Sequence, residues 1–198
     1  MSHAETLAMC QRALARMDFP VEYSRGFNPH QRLSLPLPRS VGLEVDEDIL
    51  CIRMETEASL LDVEDFKARF SSQLPDGCEV INANVAQTNS AARPIGATYL
   101  LEVQPDCFDE NLKNRVGSIL EQDSINVRRK IDEKGTIREV DVRPYLGAIN
   151  VKGACIEVQC IVSPQGSIRV DEILKLLELD VMKLSAPVRR IKINWQTN

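Results

Sequence analysis

Chemically capable side chains are densest between Pro20 and Gly42. Over a dozen positions this stretch gathers Tyr23, Ser24, Arg25, Asn28, His30, Arg32 and Ser34. Its hydroxyl, guanidinium, amide and imidazole groups suit an anion or another polar ligand. Pro29, Pro36 and Pro38 restrict φ, and Gly26 can supply a positive φ that other residues resist. A long loop this polar and this rigidly punctuated is more often functional than idle. A second concentration is Arg128-Arg129-Lys130, followed by Arg138, Asp141 and Arg143. Arginine and lysine at this density offer donors for phosphate oxygens.

Groups able to move protons are fewer. His3 and His30 are the only histidines. His3 falls with Leu7, Cys10 and Leu14 on one helical face and reads as structural. His30 divides between fixing its loop by hydrogen bonds and touching a ligand. Asp141, between Arg138 and Arg143, has a simple reading as a strand-end carboxylate paired with arginine. Its sharper reading is a nucleophile or general base in an RNA-modifying cleft. His30 and Asp141 are therefore the two catalytic candidates, and neither lies in a recognisable catalytic motif. His30 with His3, Glu5 and a cysteine lacks the spacing of zinc ligands. The six cysteines contain no close triplet to hold an iron–sulfur cluster, and Cys155 and Cys160 point to opposite faces of a strand. No metal and no cofactor are expected.

The charge is −5 overall but uneven. Residues 1–42 carry five Arg against three acids, 43–92 eleven acids against three bases, and 124–152 seven bases against four acids. An acidic chain with local basic surfaces can still meet phosphate. No apolar run approaches the roughly 20 residues that span a bilayer, and the N-terminus lacks the pattern of a secretory signal. Cysteines this widely spaced read as reduced, mostly buried thiols rather than a disulfide framework. The expected setting is cytoplasmic, with no membrane contact.

The elements that must position these groups follow from periodicity and punctuation. A helix is expected over 2–17, with Leu7, Cys10, Leu14 and Met17 as its stripe, ended by Asp18-Phe19-Pro20. A strand follows over 48–55, then a helix opened by Ser59 with Val63, Phe66, Phe70 and Leu74 inward. The next strand is 78–86, and 87–94 reads as a linker. The second half reads as strand 97–104, helix 109–121, strand 125–130, a turn at 132–135, strand 137–143, a loop at 144–150, strand 153–162, helix 169–179 and strand 187–195. The orders α-β-β-α-β and β-α-β-β-β-α-β predict an α+β chain of two tandem ferredoxin-like lobes with antiparallel sheets. These span 1–88 and 95–198, and the first lacks its opening strand.

The run Tyr23-Ser24-Arg25-Gly26-Phe27-Asn28-Pro29-His30 and the tail Leu35–Gly42 resemble the radical-SAM-linked domain, a family of unknown molecular function. Ser2-His3, Arg12, Arg16, Phe19-Pro20 and the later Glu139–Tyr145 segment extend the likeness, while Glu5 stands where an Asp is usual. Members of that family are fused to, or encoded beside, cobalamin-binding-type radical SAM proteins. The resemblance thus implies a radical SAM protein as partner and an accessory or substrate-presenting role, in RNA or ribosome-related modification. The ligand- or RNA-binding candidates are Tyr23, Ser24, Arg25, Asn28, His30, Arg32, Arg128, Arg129, Lys130 and Arg143. Two alternatives stand beside this reading: an RNA-modifying enzyme on a pseudouridine-synthase-like plan, and a protein-binding module using the acidic stretch 44–65.

Overall fold

Ser2 and Glu5 form a capping box that starts helix α1 (His3–Arg16). The Ser2 N–H donates to Glu5 Oε2 at 2.6 Å, and the Glu5 N–H donates to Ser2 Oγ at 3.3 Å. The helix stops where Asp18 takes a left-handed φ of 53° and the Phe19 N–H closes back on the Leu14 carbonyl. Thr6, Cys10, Ala13, Leu14 and Met17 are its buried side, while Leu7 is only half-buried. The computed structural model describes residues 1–55, 60–86, 92–130 and 135–196. Ser59, the turn at 132–134 and most of the 87–94 linker lie outside them.

The chain divides into two compact units: Met1–Val41 with Ile49–Ala92, and Gly42–Asp48 with Arg93–Asn198. In the first, α1 packs with α2 (Val63–Ser72). Asp62 caps α2, its Oδ1 accepting from the Glu64 and Asp65 amides at 3.0 Å each. Phe66 and Phe70 join Cys10, Ala13, Leu14, Met17 and Val21 in one core. Phe19 tilts against Phe66 with centroids 4.7 Å apart, and Phe66 stacks on Phe70 at 5.4 Å. The helices also cap each other: Arg69 donates to the Met17 carbonyl, and Arg16 to Gln73.

The sheet of this unit is smaller than the sequence suggests. Strand β1 (Leu33–Ser34) pairs antiparallel with β3 (Cys51–Ile52), and that is all of the 48–55 segment that forms a strand. Residues 78–86 form none. Two of their amides turn to side chains, Val80 to Ser71 Oγ and Ala83 to Asn82 Oδ1, and the Cys78 amide closes a turn on the Pro75 carbonyl, while Val80 and Ala83 pack on the core. Pro36 and Pro38 lack the N–H needed to extend a ladder beyond β1. Among the described residues the first unit therefore has no four-stranded sheet.

The second unit holds a five-stranded sheet in the order β2-β9-β4-β8-β7. These are Glu44–Val45 (β2), Pro94–Glu102 (β4), Leu146–Lys152 (β7), Cys155–Ile161 (β8) and Arg189–Trp195 (β9). β4, β7, β8 and β9 pair antiparallel, and only β2 is parallel to its neighbour. Helix α3 (Glu110–Glu121) follows β4, and α4 (Val170–Leu176) lies between β8 and β9. A separate hairpin, β5 (Asn126–Lys130) with β6 (Ile137–Asp141), is inserted after α3. Leu101, Val103, Ile156, Val158, Val142 and Leu177 are buried in this unit. β7 covers much of the segment expected as a loop. Its Gly147 marks a register shift between Leu146 and Ile149, where an added Cβ would sit 3.1 Å from the Gln159 carbonyl oxygen. The chain is thus an α+β protein with four α-helices among its described residues, none long and apolar enough to cross a membrane.

Candidate functional site

Alternation along β5 sorts its basic residues. Val127 and Arg129 turn inward, and Asn126, Arg128 and Lys130 outward. Arg129 meets Glu172, the third residue of α4, in a bidentate pair: Nε to Oε1 and NH2 to Oε2, both at 2.7 Å. The Arg169 amide adds a third bond to Oε2 at 2.8 Å, and Arg129 reaches the Ser167 carbonyl at 2.6 Å. The Arg129 and Glu172 side chains are 13% and 6% exposed. Arg129 is therefore a strut tying the inserted hairpin to α4, and the Glu172 bonds hold its guanidinium even more firmly protonated than usual.

Between that hairpin and α4 lies a cleft of about 450 Å3. Val127, Arg128, Arg129, Lys130, Arg169, Asp171, Glu172 and Lys175 line it. Glu172 is consumed by Arg129. Asp171 meets Lys175 at 3.4 Å, and Arg128 meets Glu139 at 3.6 Å, in pairs whose side chains are all more than half exposed. Such pairs hold together by about 0–1 kcal/mol and give way to a better anion. Five bases against two acids leave this cleft electropositive. A larger hollow of about 800 Å3 runs along α3 and residues 176–183, but its charges are committed. Arg115 pairs with Glu178, Asp109 caps α3 through the Leu112 amide, and Lys183 donates to the Glu178 carbonyl.

Asp141 and Arg143 build the corner after β6. Asp141 Oδ1 accepts from the Ile125 amide at 2.8 Å and the Arg143 amide at 3.0 Å, and these bonds hold its carboxyl below the usual range. The Arg143 guanidinium donates to the carbonyls of Leu120, Gln122 and Leu146 at 2.8, 3.0 and 3.1 Å, closing the C-terminal end of α3. Asp141 is thus held mainly by backbone amides rather than by a guanidinium.

The polar loop of the first unit is a narrow hairpin. The Ser24 N–H donates to the His30 carbonyl at 2.8 Å, and the His30 N–H returns to Ser24 Oγ at 2.9 Å. One step outward from the tip, Tyr23 bridges Gln31, and Glu22 pairs with Arg32. Gly26 turns the tip with φ 138°. Arg25, Phe27, Asn28 and His30 are all exposed, Phe27 completely at 113%. His3 is half-buried, and its Nδ1 has no hydrogen-bond partner among the described residues. Cys10 and Cys160 are buried and the other four cysteines half-buried, a more open set than expected. Burial pushes the Cys160 thiol up to about 12, which makes it inert. No three His, Cys, Asp or Glu side chains converge among the described residues.

Of the expected binding residues, the structure gathers Arg128, Arg129 and Lys130 at one cleft, and Tyr23, Ser24, Arg25, Asn28, His30 and Arg32 on one hairpin of the other unit. Arg143 joins neither. The sequence reading missed Arg169, Glu172 and Lys175. Glu172 carried a signal: it falls among Ile168, Ile173 and Leu177 at buried helical positions, where a carboxylate requires a cation.

Fold and site together define a two-unit α+β protein with a basic cleft in one unit and an exposed aromatic hairpin in the other. The chain belongs to a bacterial family, the uncharacterized proteins conserved in bacteria (DUF2344), whose model matches residues 1–172. Neither the curated proteins nor the solved structures give a match.

Proposed function

We propose that this chain is a non-catalytic accessory module that presents RNA to a radical SAM partner enzyme in the cytoplasm. The observation that carries the RNA contact is the cleft beside β5, where Arg128, Lys130, Arg169 and Lys175 stand around a hollow whose one buried carboxylate is already neutralised. Guanidinium and ammonium groups held on a strand and a helix, not on free loops, suit phosphate contacts that position a backbone without reading sequence. The resemblance of Tyr23–His30 and Leu35–Gly42 to radical-SAM-linked domains supports the partner. The second unit supports a ferredoxin-like reading. That reading rests on its β4-α3-β7-β8-α4-β9 connectivity, with the strands side by side as β9-β4-β8-β7, the order expected of a split β-α-β plan with a hairpin inserted.

The test is binding of purified protein to tRNA and rRNA fragments, followed by the combined Arg128→Ala, Lys130→Ala, Arg169→Ala and Lys175→Ala variant. Arg129 is left intact because its role is structural. The expected result is clear binding at low salt that the four substitutions weaken by at least about tenfold, given a flatter salt dependence as phosphate contacts are lost. Unchanged affinity in that variant contradicts the assignment of this cleft.

A further inference from the structure

The hairpin Glu22–Arg32 belongs to the first unit, and the residues that line the basic cleft belong to the second. The hairpin's tip has an unusual composition: from Tyr23 to Gln31 it carries two aromatic rings, a guanidinium, an imidazole and two amides, and no carboxylate. The one acid at its base, Glu22, is paired with Arg32. Phe27 stands clear of the protein at 113% exposure, and Tyr23 is 48% exposed. Exposing a whole phenyl ring forfeits the burial that otherwise favours such a side chain, and a single surface Phe needs no special account by itself. The tip is also built to hold its shape. The reciprocal Ser24–His30 bonds, the Tyr23–Gln31 bridge and the Glu22–Arg32 pair close the neck in successive rungs, and Gly26 turns the end. An aromatic ring on a stiff stalk, flanked by Arg25, Asn28 and His30, is a platform for a planar partner that also carries negative charge.

We infer that this hairpin is a stacking finger for single-stranded RNA: an unpaired base lies on the Phe27 ring while Arg25 faces the neighbouring phosphate. Every base offers a π-face, so such a contact tolerates any sequence, and it requires the base to be out of a duplex. The finger rests on the RNA reading given above and deepens it. The basic cleft meets backbone of either form, and the finger supplies the preference for unpaired segments.

The experiment is fluorescence anisotropy with the full-length chain, using a fluorescein-labelled oligouridylate decamer and a labelled RNA duplex of equal phosphate number. Circular dichroism verifies that each variant is folded. Phe27→Ala is expected to weaken decamer binding between about fivefold and about a hundredfold, the range one base–aromatic stack contributes, and to leave duplex binding unchanged. Phe27→Trp is expected to retain or tighten decamer binding, and Phe27→Leu to behave as Phe27→Ala. Decamer binding unaffected by Phe27→Ala overturns the finger. Wild-type affinity in Phe27→Leu also overturns it, because any apolar knob would then serve, as in docking into a protein pocket. The two readings fail separately: loss of affinity in Phe27→Ala alone removes the cleft, and loss in the four-base variant alone removes the finger. A wild-type chain that does not bind the decamer contradicts the finger outright.

Discussion

Arg129 illustrates how a residue can look functional in sequence and, paired with Glu172, be structural in the fold. With both side chains nearly out of water, deleting one leaves the other buried and uncompensated. Arg129→Ala is therefore expected to lower unfolding free energy by about 3–5 kcal/mol. Arg128→Ala, from an exposed pair with Glu139, is expected to lower it by less than about 1 kcal/mol. Urea denaturation of the two variants side by side checks the contrast, and equal losses would contradict it. Asp141 makes a pH-dependent prediction. Backbone amides from Ile125 and Arg143 depress its pKa, so the folded state binds its proton less readily than the unfolded chain. The resulting stability is present above the unfolded value, about 4, and is lost as pH falls through the lower folded value. Asp141→Asn removes the charge but keeps an acceptor, so its stability curve is expected to be flatter in that acidic window than the wild type's. The same geometry bears on catalysis: a carboxylate held as an anion by two amides is a poor proton acceptor.

Hairpins, helix ends and edge strands separate what periodicity discloses from what it hides. The four helices were legible because their stripes are local: Cys10 with Leu14, and Phe66 with Phe70, recur within one or two turns. The start of α2 was misplaced because Ser59 and Asp62 both have capping chemistry, and the geometry selects Asp62. β7 was read as loop because Pro144, Gly147 and Asn150 are turn residues, yet Gly147 serves a close approach within a sheet. The 78–86 segment alternates like a strand but finds no ladder, since β-structure depends on a neighbour that the sequence does not name. Arg190 is the sharpest case. Alternation from Ile193 would turn it outward, but the register shift between Thr98 and Tyr99 turns it in, fully buried against Asp48 at 2.8 Å. The Ser24 lock at the neck of the aromatic hairpin belongs to this scale as well. Ser24→Ala removes the acceptor for the His30 amide, so hydrogen exchange at His30 is expected to accelerate by about fivefold or more, given roughly 1 kcal/mol for a hydrogen bond. Unchanged exchange would mean that the backbone alone holds the neck.

Across the whole chain, charge is distributed by segment more than by total. The net of −5 conceals the acidic 43–92 segment and the basic 124–152 segment, and the latter contains the inserted hairpin. Its Arg128-Arg129-Lys130 run was visible in the sequence as a basic strand. Its second wall was not, because Arg169, which precedes α4, and Lys175, on α4, come some forty residues further on. The finger motif was legible as a rigid polar loop, while the exposure of Phe27 required the fold. The central claim is that the cleft between β5 and α4 holds RNA backbone, and it is tested most directly by the slope of log affinity against log salt for wild type and the four-alanine variant. The expected result is a steep wild-type slope that becomes shallower by about 0.7–0.9 for each phosphate contact removed, with the fold unchanged. Parallel slopes in the two proteins, or no wild-type binding at low salt, would contradict the account.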